Sequence, residues 1–170
     1  MVEEIRPNAE GSILFDLRTV YGVRDRIDRS YPSSFFESVL DDDGSVVECV
    51  SVALGIEKDA DIYRIKGRLA TTIRLGCGRC LEPYEVSIDS RVDLLFLPKP
   101  GNSGEDEFEM SDEDLTTAFY SDEQLDVGQL IREQLRLEVP MKPLCRAGCG
   151  GLCPVCGKNM NTGRCSCQNT

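Results

Sequence analysis

The chain has no histidine, and this absence removes the usual open zinc site of a hydrolase, which keeps imidazole ligands and one free position for water. A Ser-His-Asp relay is excluded on the same ground, and no glycine-rich phosphate loop is spelled anywhere in the chain. No apolar run approaches the roughly 20 residues of a membrane helix. The stretch from Met1 to Glu10 carries Glu3, Glu4 and Glu10 where a secretory leader would have basic residues and then an apolar segment. A protein that stays in the cytosol is the expectation. The carboxylates between Glu105 and Asp114 lack the spaced ligands and pivotal glycine of a calcium loop, and they read as a solvated acidic face.

Basic residues are also scarce, with 19 Lys and Arg against 30 Asp and Glu and a net charge of −11. That sign opposes long-range attraction to nucleic acid. The imbalance is uneven, however: residues 1–50 carry −6, residues 51–100 carry +1, residues 101–140 carry −10 and residues 141–170 carry +4. At 170 residues and 41% apolar content, one ordinary domain with a real core and an appendage is expected.

What the chain does have is nine cysteines, eight of them in close pairs. Cys153 and Cys156 are followed within a short loop by Cys165 and Cys167, so four sulfurs can converge on one ion in the tetrahedral arrangement that zinc accepts. Cys77 with Cys80 and Cys145 with Cys149 can supply a second all-cysteine site that would pin the tail to the body. Spacing alone leaves open the alternative that Cys145 and Cys149 join Cys153 and Cys156. In a reducing compartment paired thiols are metal ligands before they are disulfides. The two-residue spacing also suits dithiol exchange, but a reactive thiol of that kind sits at a helix start, whereas Cys77 follows a strand pattern and Cys156 precedes Gly157. Cys49 has no close partner and lies beside Val47 and Val50; it reads as a small buried hydrophobe.

Strand periodicity dominates the middle of the chain. Val50, Val52, Leu54 and Ile56 alternate, as do Ile65, Gly67, Leu69, Thr71, Ile73 and Leu75; beyond the Cys77–Cys80 turn, Tyr84, Val86, Ile88, Val92, Leu94 and Phe96 run back. The pattern predicts an antiparallel hairpin with a thiol pair at its tip. Ile13, Phe15 and Leu17 suggest another strand. Residues 101–114, rich in Gly, Ser, Asp and Glu, read as a mobile loop. A helix then starts at Asp126 with Gln129 completing a capping box and Leu125 and Leu130 a hydrophobic staple. Val127, Leu130, Ile131 and Leu135 form its buried face, and Pro140 stops it.

The expected fold is therefore α+β, mainly antiparallel sheet with one or two helices. Its β-rich body would span residues 1–140, with a zinc-ribbon-like tail over residues 141–170 docked on the body. That tail has six cysteines and few large apolar residues, so metal has to supply its stability, on the order of 10 kcal/mol for small motifs of this kind. Two four-thiolate zinc ions would add about −4 in formal charge, which Lys142, Arg146, Lys158 and Arg164 offset unless they grip phosphate instead. Four-thiolate sites are closed, so they are structural rather than catalytic.

Three stretches carry a family resemblance. Cys77-Gly78-Arg79-Cys80-Leu81, the run Leu137-Glu138-Val139-Pro140, and the tail from Pro143-Leu144-Cys145 through Gly151-Leu152-Cys153-Pro154-Val155-Cys156-Gly157 to Cys165-Ser166-Cys167 together resemble the YceD family of large ribosomal RNA subunit accumulation proteins. The resemblance implies a bacterial cytoplasmic factor that supports the 23S ribosomal RNA of the large subunit, with no known catalytic step and no small-molecule substrate. It also implies that the site holding Cys77 and Cys80 is the older element, because some members lack the last thiol-rich tail. A ribosomal protein or large-subunit assembly factor is the expected partner, met through the acidic region 101–140. The positive tail, with Lys142, Arg146, Lys158, Asn159, Asn161 and Arg164, is the candidate rRNA contact. The competing readings are a dithiol redox protein and a zinc-ribbon adaptor in transcription.

Overall fold

The computed structural model describes residues 12–20, 24–40, 44–99, 117–120 and 122–169. The architecture is α+β. Strands β1 (Leu14–Asp16), β2 (Arg24–Tyr31), β3 (Gly44–Val46), β4 (Val50–Asp59), β5 (Ile62–Gly76), β6 (Pro83–Pro98), β7 (Thr117–Tyr120) and β8 (Gln124–Asp126) precede one α-helix among the described residues, α1 (Val127–Glu138). The large sheet has the order β2-β4-β5-β6-β7, with β3 alongside β5. Its pairs are antiparallel except β6 with β7, which run parallel. A separate antiparallel pair joins β1 to β8.

One face of the sheet is apolar because the alternation in β4, β5 and β6 is in phase across their register. Val52 faces Leu69, and Ile65 faces both Ile56 and Leu94. The buried residues of these strands form a single cluster with Val127, Leu130, Ile131 and Leu135 of α1 and with Phe36, Val39 and Leu40 from the segment after β2. Each fully buried aliphatic side chain contributes about 1.5–3 kcal/mol relative to exposure, so this layer holds the sheet and helix together. Two polar residues on the inner face are satisfied: Ser90 Oγ accepts from Gln134 of α1 at 2.8 Å, and Thr71 Oγ1 donates to the Glu48 carbonyl at 3.1 Å.

Asp126 starts the helix by accepting from Gln129 N at 3.0 Å, and its carboxylate also accepts from Ile13 N and the Ser12 hydroxyl. Burial works against its ionisation, but the hydrogen bonds outweigh it and hold the carboxyl below the usual aspartate range. The capping box is only half formed, since Gln129 sends its amide forward to Glu133 at 2.8 Å instead of back to the cap. Leu125 and Leu130 are both buried, and the helix gives way to extended backbone at Val139, as the residue before a proline prefers.

Cys49 corrects a sequence expectation. It is exposed, because the inward phase of β4 begins at Val50 and runs through even-numbered positions, which turns the odd-numbered neighbour outward. The expected loop over residues 101–114 lies outside the described residues. Among the described residues no helix is long and apolar enough to cross a membrane.

The hairpin of β5 and β6 outruns the rest of the sheet. Pairing with β4 ends at Ser51 opposite Ala70, whereas pairing with β6 continues to Gly76 opposite Pro83. Beyond Ala70 the strand paired with the other side of β5 among the described residues is the short β3. At about 3.3 Å per residue the Cys77 turn is carried some 23 Å past the end of β4.

Candidate metal centres

Two turns present their thiols by the same backbone device. In the first, Leu81 N donates to Cys77 O at 2.9 Å and Cys77 N to Glu82 O at 3.0 Å; in the second, Gly157 N donates to Cys153 O at 2.9 Å and Cys153 N to Lys158 O at 2.9 Å. Both turns close through a residue in the left-handed region, Leu81 at φ 61° and Gly157 at φ 70°. This conformation costs an L-residue about 1 kcal/mol or more but costs glycine little. Gly157→Ala should therefore destabilise the second turn by about 1 kcal/mol, whereas Leu81→Gly should be close to neutral because Leu81 is 71% exposed. Thermal denaturation of the two variants checks the contrast.

The first turn is met by residues far away in sequence. Gly78 N donates to Pro143 O at 2.7 Å, Leu152 N to Arg79 O at 3.1 Å, and the Arg79 guanidinium to Cys149 O at 3.2 Å. Gly151 has φ +69°, and a Cβ there would sit 3.2 Å from Arg79 O, so glycine permits this close approach. The result is that Cys145 and Cys149 stand against Cys77 and Cys80. Cys77 Sγ lies 3.7 Å from Cys149 Sγ, and Cys80 Sγ lies 3.8 Å from Cys145 Sγ.

Within each of two groups, Cys77, Cys80, Cys145 and Cys149, and Cys153, Cys156, Cys165 and Cys167, all four sulfurs lie within 4.8 Å of one another. A zinc–sulfur bond of about 2.3 Å in a tetrahedron sets neighbouring sulfurs about 3.8 Å apart. The cross-chain distances in the first group match that edge. In the second, Cys153 and Cys165 are closer, at 3.3 Å. A disulfide would instead need about 2.05 Å, and all nine cysteines are free thiols. The donor sets thus fit a soft, tetrahedral ion.

Electrostatics within the sites are asymmetric. Backbone N–H groups at Cys145 and then Cys80 aim at Cys77 and lower its thiol to about 6, and backbone N–H groups at Cys156 and Val155 lower Cys153 to about 6. Burial, followed by the neighbouring thiols, pushes Cys145 up to about 12. Contact with Cys156 and burial push Cys167 up to about 11. In each group, therefore, a ready thiolate sits beside thiols that give up their protons only to a cation, and binding releases protons.

Asn161 ties the two groups together. It lies in the loop of the second, yet its amide donates to Cys149 Sγ of the first at 3.3 Å, while its carbonyl accepts from Gly150 N at 2.8 Å and the Arg146 guanidinium at 2.7 Å. This amide is the largest cause of the lowered Cys149 thiol. Removing it leaves Cys149 with the higher pKa, so protons compete with metal at higher pH. Asn161→Ala should lose roughly 10-fold in affinity at the first site, and its acid-release midpoint should move up, by about half a pH unit if two protons drive release. An acid titration with a chromogenic zinc indicator reads the shift.

A family profile described as "Large ribosomal RNA subunit accumulation protein YceD" matches residues 65–170, a stretch holding both thiol groups. The chain belongs to the YceD family. Among curated relatives, a maize protein named "Large ribosomal RNA subunit accumulation protein YCED homolog 1, chloroplastic" is 28% identical over 142 residues, covering 70% of this chain and 48% of the relative. The Arabidopsis thaliana protein of the same name is 30% identical, covering 69% and 43%. An uncharacterized protein of Mycobacterium tuberculosis is 31% identical, covering 71% and 55%. The chain spans about half the length of these relatives. No solved structure matches it.

Of the basic-tail residues singled out as RNA contacts, Lys142, Arg146, Lys158 and Arg164 are exposed. Arg146 and Asn161 are bonded to each other, Lys158 donates to the Arg164 carbonyl at 3.0 Å, and Asn159 Oδ1 accepts from Asn161 N at 2.9 Å. Asn161 and Arg79 are the site residues whose role sequence reasoning missed. Nothing in their spacing marks them, because they act on a partner 12 and 70 positions away, respectively.

Proposed function

We propose that the protein is a noncatalytic, cytoplasmic ribosome-biogenesis factor that supports accumulation of large-subunit rRNA and is held together by two structural zinc ions. The observation that carries the reading is the pair of four-sulfur groups in a chain of the YceD family. Such sites leave no coordination position for water or substrate, so they fasten chain segments instead of reacting. In this reading residues 1–140 form the body and residues 141–170 a zinc-ribbon-like tail. The ion at Cys77, Cys80, Cys145 and Cys149 cross-links the two. The ion at Cys153, Cys156, Cys165 and Cys167 folds the tail's end. A basic ribosomal protein or large-subunit assembly factor is the partner class for the acidic region 101–140.

The experiment is depletion of the protein in growing cells, followed by the ratio of large- to small-subunit rRNA and a sedimentation profile of precursor particles. The ratio should fall, and wild type but not Cys77→Ser should restore it. An unchanged ratio on complete depletion counts against the function. Restoration by a chain lacking all eight thiols counts against the role of the metal.

A further inference from the structure

The sheet face opposite the core is basic, although the protein is strongly acidic. Alternation places Arg24 and Arg26 of β2, Arg64, Lys66 and Arg68 of β5, and Arg91 of β6 outward together, within three successive rows across the strands. Glu57, Asp28 and Asp93 share those rows and Asp89 adjoins them as the partner of Arg68, leaving a local surplus of two positive charges. Arg24 pairs with Glu57, Arg26 with Asp28, and both Arg64 and Lys66 with Asp93.

Arg68 stands directly opposite Arg91 in the ladder, an arrangement that destabilises a sheet. Arg68 reaches Asp89 at 3.1 Å, but Arg91 has no ion pair among the described residues. Between the cations of β2 and those of β5 runs β4, whose outward residues in these rows are Ala53, Gly55 and Glu57, the last paired with Arg24. Cations of β2 and β5, two strand spacings or about 10 Å apart, thus flank a floor that is bare at Ala53 and Gly55 and carries Glu57 at one end. The fold does not require glycine on that floor, since a Cβ at Gly55 would meet only the Lys66 carbonyl oxygen, in ordinary contact at 3.6 Å.

We infer that this face binds the phosphate backbone of RNA, with the strand lying along β4 and phosphates between Arg26 on one side and Lys66, Arg68 and Arg91 on the other. The inference rests on the rRNA reading above and puts the contact on the sheet instead of the tail residues that the sequence suggests. Cations two residues apart on a strand are about 6.6 Å apart, comparable with the spacing of successive phosphates on one nucleic-acid strand. The patch exceeds the Debye length of about 8 Å at physiological salt, so its own sign, not the net charge of −11, governs contact. No aromatic side chain lies in the three rows, so base stacking is absent and binding is independent of sequence. A bound phosphate between Arg68 and Arg91 relieves their repulsion.

The test is fluorescence anisotropy with the full chain purified under reducing conditions. The probes are a labelled single-stranded RNA of about 20 nucleotides and, separately, polyglutamate of similar charge, from about 50 to 200 mM salt. The variants are Arg68→Gln/Arg91→Gln on the face and Lys158→Gln/Arg164→Gln in the tail. The face variant should bind RNA roughly 10-fold more weakly, with the salt slope reduced by about 1.4 for two lost contacts. It should melt no lower than wild type, because an opposed like-charge pair has been removed. The tail variant should bind as wild type does. Equal RNA binding by the face variant, weakening confined to the tail variant, or equally tight face-dependent binding of polyglutamate would each overturn the inference. If wild type binds no RNA while depletion still lowers large-subunit rRNA, this inference fails and the proposed function stands.

Discussion

The Cys77→Ser protein is expected to lose one of the two proposed zinc ions, its melting temperature to fall steeply, and its amide protection to disappear from Pro143 through Leu152. The reason lies in what remains when the ion is gone. Cys77 is 1% exposed and sits among Cys80, Cys145 and Cys149, and a serine hydroxyl is a poor replacement for a thiolate ligand. The Pro143 segment would then be held to the hairpin by the bonds from Gly78 N, Leu152 N and Arg79, each worth about 1 kcal/mol. A structural zinc contributes on the order of 10 kcal/mol, so several kcal/mol of apparent stability go with it. Indistinguishable thermal unfolding of wild type and variant would contradict the cross-link.

Cys153→Ser should do the opposite kind of damage, large in the tail and small in the sheet. Its four sulfurs all come from residues 153–167, a stretch without an apolar core of its own, so losing this ion should unfold it. The sheet cluster includes none of these residues and should keep its protection. One long-range effect is expected through Asn161, which reaches from this loop to Cys149: the first site should weaken by roughly 10-fold. Hydrogen exchange read segment by segment separates the outcomes. Intact protection beyond Cys153 in the variant, or protection lost from β4 and β5, would contradict the assignment.

The hairpin was legible in the sequence because the inward positions of β5 are apolar along fifteen residues except at Gly67 and Thr71, and a period of two sustained over that length has no helical alternative. The helix start was legible for a similar reason, since Asp126 before an amphipathic run is a local signal. β2 was not. Only Ile27 and Tyr31 of its eight residues are buried, and an edge strand carrying Arg and Asp on its open face offers no alternation to detect. β7 pairs in parallel with β6 across a long connection, so no local pattern could place it. Cys49 beside two valines looked like core, but burial there follows the phase of β4, not apolar neighbours in sequence. At the candidate site, thiol spacing set out the donors, whereas the Asn161 amide depends on a loop folding back onto another turn. The opposition of Arg68 and Arg91 likewise exists only once the register of β5 with β6 is known.

In the proposed clasp the eight thiols are joined by ions, not as cystines. Zinc content together with X-ray absorption at the zinc edge, on protein purified under reducing conditions without added metal, distinguishes the two. The expected result is about two zinc ions per chain in an all-sulfur shell at about 2.3 Å. Metal-free protein that keeps the tail folded through disulfides, or a shell containing oxygen or nitrogen, would contradict it.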